Sequence, residues 1–125
     1  MTIALKLPND FDINYLGRGN VLCCSKFPIP YVQKFVAKIM VYSAPLGVIT
    51  KGDQVTVHCY STKSHGRISS LCEIIEFNYN KETKKNEEKS VKKNPKTLKP
   101  SDKQLAIVKI TLKERLCLEL QKNFV

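Results

Sequence analysis

From Val32 to Tyr42 the chain reads VQKFVAKIMVY, and its apolar positions recur every second residue. Phe35, Ala37, Ile39 and Val41 fall on one side of this run, and Val36, Lys38, Met40 and Tyr42 on the other. A strand sends successive side chains to opposite faces, whereas a helix groups residues three and four apart. The same period governs QVTVHCYS, with Val55, Val57 and Cys59 on one face, and QLAIVKITL, with Ala106, Val108, Ile110 and Leu112 on one face. LCLELQ repeats the alternation with Leu116, Leu118 and Leu120. In RISSLCEIIEFNY the period-two reading places Leu71, Glu73, Ile75 and Phe77 together, opposite Ile68, Cys72 and Ile74. No comparable helical period exists. The one capping-box match, Ser101-x-x-Gln104, leads into β-branched, alternating sequence and reads as a turn into a strand.

Between these runs lie turn formers. Pro28 and Pro30 in KFPIPY impose an extended path. SAPLGVITKGD, with Pro45, Gly47 and Gly52, reads as a connection, and TKSHG as a turn. TIALKL (residues 2–7) and NVLCC (residues 20–24) read as short strands around the turn-rich PNDFDIN. Several strands separated by Gly, Pro and Asn turns describe an antiparallel barrel or sandwich.

Composition narrows the function. With 125 residues, 42% hydrophobic and 26% charged, the chain has the balance of a globular protein with one core. Its apolar runs are shorter than the ~18–20 residues that span a bilayer, and the N-terminus lacks a basic region before an apolar run. The expected setting is therefore cytoplasmic, with no membrane; a DNA partner is not expected either. Five cysteines, an odd number, argue against a disulfide framework and for a reducing compartment. They read as small hydrophobes in apolar runs, and none forms the C-x-x-C pair that zinc prefers.

Lys and Arg number 21 against 11 Asp and Glu, a net charge of +10. Half of it sits in NKETKKNEEKSVKKNPKTLKPSDK, residues 80–103, which holds nine lysines and four acids and so carries +5. This stretch has too little apolar content to order itself and reads as a long mobile hairpin loop. Basic charge suits an anionic partner, but lysine gives diffuse charge rather than planar bidentate recognition. Catalytic signatures are missing: there is no G-x-x-x-x-G-K-[ST] phosphate loop and no G-x-S-x-G nucleophile elbow. Ser64-His65 has no acid in its own segment to orient it.

An ordered series of short motifs resembles the junction of domains 2 and 3 in the elongation factor 1-alpha superfamily of translational GTPases. GNVLC at Gly19–Cys23 is similar to the G-x-V-L-C that ends the family's second barrel. KFVAKI at Lys34–Ile39 is similar to the K-F-x-A-x-I opening the third. There follow G-x-x-V-x-x-H from Gly52 to His58, K-x-P-K-x-L from Lys93 to Leu98, A-I-V-x-I from Ala106 to Ile110 and C-L-E from Cys117 to Glu119. I-T-K-G at Ile49–Gly52 and I-S-x-L at Ile68–Leu71 are closest to the ribosome-rescue branch of Hsp70-subfamily-B-suppressor type.

The resemblance implies an all-β, antiparallel β-barrel of the translation-factor domain 3 type, lacking its last strands. Residues 1–24 would end the preceding barrel and its linker, and residues 25–125 would be an incomplete C-terminal barrel carrying the Lys-rich loop 80–103. The chain would perform no chemistry. GTP and magnesium would belong to a GTPase domain outside it. Its partners would be that GTPase domain, a Pelota-like or release-factor-like protein, and the ribosome. Arg67, Lys84, Lys85, Lys92 and Lys93 are the candidate contacts to partner or RNA. The neighbouring readings are a termination-factor GTPase subunit or elongation factor 1-alpha itself. A reading of another class is a free-standing basic RNA-binding barrel that stacks bases on Tyr42, Tyr60 and Phe77.

Overall fold

The computed structural model describes residues 1–120. Among these residues every strand is antiparallel and there is no α-helix. The strands are β1 (Tyr31–Ile39), β2 (Ile49–Thr50), β3 (Gln54–Cys59), β4 (Thr62–Asn80), β5 (Lys85–Lys93), β6 (Thr97–Leu98) and β7 (Gln104–Cys117).

The alternating runs become the main sheet, in the order β1-β7-β4-β3. β4 is its long spine. One edge pairs with β7; the other pairs with β3 along its first half and with β5 along its second. β2 and β6 form a separate two-stranded sheet that packs on the core through Ile49 and Leu98. The sheets do not close into a complete barrel among the described residues.

One face of the main sheet is the core. Ala106, Val108, Ile110 and Leu112 of β7 are all buried, as are Ile68, Leu71, Leu98 and Leu116. Phe35, Ala37, Ile39, Val55, Val57 and Cys59 pack against them, as the alternation predicts. Val108 is fully buried, and Ile68 and Leu112 nearly so; each such side chain contributes about 1.5–3 kcal/mol. The one buried polar side chain among the described residues, Ser64, donates to the Glu114 carbonyl at 2.9 Å.

Several segments differ from the sequence expectation. Residues 2–7 and 20–24 form no strand; the N-terminal segment holds a single 3₁₀ turn at Ile13–Tyr15. A strand needs a ladder partner, and here Ile3, Leu5 and Leu22 stay exposed without one. The TKSHG segment opens β4, and the turn before it is Tyr60-Ser61, with Tyr60 at φ 52°. LCLELQ is not a separate strand: β7 runs to Cys117, and Gln121 lies outside the described residues.

The Lys-rich stretch 80–103, read as a loop, contains β5. Backbone pairing to β4 orders it, from Asn80↔Lys85 to Glu73↔Lys93, although every β5 side chain is exposed. The ribbon also bends. Lys38 of β1 meets Glu88 of β5 at 2.9 Å, yet three strand spacings of ~4.8 Å separate those strands in a flat sheet. Only a sheet that curls over its outer face brings them together.

The face assignment on β4 also changes. Ile68, Leu71 and Ile74 oppose Ile110, Val108 and Ala106, so all three lie on the core face. Bulges at Ser69 and Cys72 each add one residue and reverse the alternation.

Candidate partner interface

The sequence-derived contact residues do not gather at one place. Lys84 and Lys85 occupy the tip of the β4–β5 ribbon, with Lys84 in a turn at φ 52°. Lys92 and Lys93 stand at its base, opposite Ile74 and Glu73. Seven residues of strand put Lys85 and Lys92 roughly 23 Å apart. Arg67 lies elsewhere, between Gln54 of β3 and Thr111 of β7.

The three aromatics named for base stacking are also dispersed. Tyr42 follows β1 and is exposed; Tyr60 is in the turn before β4; Phe77 is half-buried near the far end of β4. They form no common platform. The Tyr60 phenol is held above its ordinary value by desolvation, then by the Glu119 carboxylate and the Cys59 and Cys117 thiols.

Arg67 belongs to a larger feature that residue-by-residue reading missed. Toward β3 the face of the main sheet opposite the core is polar and basic; toward β5 the same face carries Ile107, Leu105, Ile75 and Glu73. One row across four strands runs Gln54, Arg67, Thr111 and Lys34. Thr56 and His65 form the next pair, with Thr56 Oγ1 and His65 Nδ1 3.0 Å apart. His58 opposes Lys63 beyond them, and Lys109 opposes Val36 and Ser70 on the other side. Lys34, Lys63, Arg67, Lys109 and Lys113 are exposed, and none makes an ion pair among the described residues. A shallow cleft of about 550 Å³ opens here, lined in part by Gln54, Thr56, His65, Arg67, Thr111 and Lys113. The signal was present in sequence as cations at alternate positions, but only the strand register shows that they share a face.

Gly66, on the core side of β4, lets β7 approach closely. It opposes Leu112 so closely that a Cβ would fall on the Thr111 carbonyl oxygen. At Gly19 (φ +89°) a Cβ would come within 2.7 Å of the Thr62 side chain, so the N-terminal segment lies against the start of β4.

Cys23 and Cys24 are exposed rather than core residues, and Cys59, Cys72 and Cys117 are half-buried. Among the described residues no three of His, Cys, Asp and Glu converge as metal ligands. No helix among them is long and apolar enough to cross a membrane.

The fold is an antiparallel β domain, and comparison with family models gives it its family. Residues 34–125 match the model described as GTP-eEF1A C-terminal domain-like, and the chain belongs to that family. The domain of this family is a non-catalytic translation-factor domain. No curated protein matches the chain.

Proposed function

We propose that this chain is the non-catalytic C-terminal region of a cytoplasmic translational GTPase acting in ribosome rescue or mRNA surveillance. It packs on its own GTPase domain and docks a release-factor-like protein of the Pelota type for delivery to the ribosome. The observation that carries this reading is the family match over residues 34–125, joined to the ordered motifs from KFVAKI to CLE. The I-T-K-G and I-S-x-L segments support the rescue branch over termination. On this reading residues 1–24 are the end of the preceding barrel and its linker.

GTP and magnesium belong to the GTPase domain of the parent protein. The present residues supply no phosphate-cradling loop, so their part is to bind and orient protein surfaces rather than to move phosphate.

Co-elution tests the proposal. The chain is mixed with a Pelota-type protein and, separately, with a termination release factor. A complex with the first and no GTP turnover above background is expected. A complex with only the termination factor would overturn the branch assignment. Binding to RNA alone would overturn the docking role.

A further inference from the structure

The Lys-rich stretch 80–103 holds half of the net charge, but in the ribbon its lysines are interleaved with acids. Glu87, Glu88 and Glu82 accompany it, and Glu88 is engaged by Lys38. The outer face of the main sheet differs. Lys34 and Arg67 share a row that holds no acid, Lys63 opposes His58, and Lys109 opposes Val36 and Ser70; Lys113 follows Leu112 on β7, and the nearest acid on this face is Glu73, opposite Ile107 in the row beyond Lys109. Neighbouring strands are ~4.8 Å apart, so Arg67 and Lys34 originate about 10 Å from each other, within reach of one ligand segment. The Thr111 hydroxyl stands between them, the Gln54 amide lies beyond Arg67 in the same row, and the Thr56–His65 pair is in the next row.

We infer that this sheet face, centred on Arg67, Lys34 and Lys113, is the docking surface for an acidic segment of a protein partner. This rests on the docking role proposed above and places it on the strand face rather than on the lysines of the ribbon.

Two observations favour an acidic protein over RNA. The face carries no exposed Tyr or Phe in its rows on which a base could stack, the exposed tyrosines lying at strand ends and turns. The cleft is shallow and lined by neutral donors as well as charge, which suits side-chain carboxylates arriving from an extended segment. Electrostatic complementarity of this kind sets encounter rate and register.

Two variants separate the face from the ribbon. Lys34→Gln, Arg67→Gln and Lys113→Gln together remove the face. Lys84→Gln, Lys85→Gln, Lys92→Gln and Lys93→Gln together neutralise the ribbon. All seven side chains are exposed, so both variants retain the wild-type melting temperature. Fluorescence anisotropy then follows a fluorescein-labelled oligoglutamate, a duplex RNA of matched charge, the parent's GTPase domain and a Pelota-type protein.

The face variant is expected to lose about tenfold in affinity for oligoglutamate and for the Pelota-type protein, and the ribbon variant less than about twofold. Equal losses in both variants overturn the inference, as does preference for RNA or for the GTPase domain. If the Pelota-type protein binds wild type and face variant alike, the location falls while the docking role stands. If that protein binds neither, but oligoglutamate distinguishes the variants, the docking role falls and the acidic-segment surface stands.

Discussion

Replacing Gly66 by Ala sets two effects of opposite sign against each other. Gly66 is not in the left-handed region, so alanine fits its backbone angles and restricts the unfolded chain. That alone would stabilise by about 0.4–1 kcal/mol. Against it stands the close approach of β7. The added Cβ falls on the Thr111 carbonyl oxygen and lies 3.0 Å from both Cα and Cδ2 of Leu112. A flexible side chain could move aside; a ladder carbonyl moves only if β4 and β7 part locally. Overpacking of this kind costs about 1–3 kcal/mol, and a weakened ladder hydrogen bond adds about 1 kcal/mol. The steric cost wins by about 2 kcal/mol, and at roughly 4 °C per kcal/mol the melting temperature falls by about 8 °C. Thermal unfolding followed by circular dichroism measures this directly. An unchanged or higher melting temperature would show that the entropy effect wins and that β4 and β7 are not packed this closely.

Other perturbations probe other parts of the account. Leu112→Ala, at 2% exposure, is expected to cost about 2–5 kcal/mol in denaturant unfolding; a loss below 1 kcal/mol would remove Leu112 from the core. Replacing Asn78–Glu87 by Asn-Gly trims the ribbon tip while keeping the Phe77↔Glu88 pair, and the β circular dichroism signal should survive unchanged. Collapse of that signal would mean that the ribbon nucleates the sheet. Lys38→Ala removes a half-exposed ion pair and should cost about 0.2–1 kcal/mol at low salt and nothing at high salt; a larger, salt-insensitive loss would contradict a surface pair. Tyr60 should ionise above the ordinary tyrosine value in an ultraviolet phenolate titration. Because the folded state favours the neutral phenol, that contribution to stability holds below the unfolded value and is lost as pH rises through the folded one. An unaltered high-pH end of the titration in Tyr60→Phe would refute the assignment.

The core was readable wherever alternation ran unbroken. Val55, Val57 and Cys59, and Ala106 through Leu112, keep one inward face because no extra residue interrupts their period. β4 defeated the same reasoning. Its bulges at Ser69 and Cys72 carry no Gly or Pro to mark them, yet each moves every later side chain to the opposite face. β5 was hidden for a different reason: its order comes from backbone pairing with β4, while composition reports only the burial of side chains. The N-terminal apolar residues misled in the reverse sense, since Leu5 and Leu22 have strand-like neighbours but no strand to join. The basic face was half legible. Arg67 was recognisable as a lone cation in a strand, but its company of Lys34 and Lys113 depends on register between segments far apart in sequence.

The most direct test of the account is a paired titration of the chain with a Pelota-type protein and with duplex RNA at a single, near-physiological ionic strength. The account predicts that the protein binds at least about tenfold more tightly than the RNA, because docking is its role and its cations lack a stacking platform. RNA binding as tight as or tighter than the protein's would contradict it.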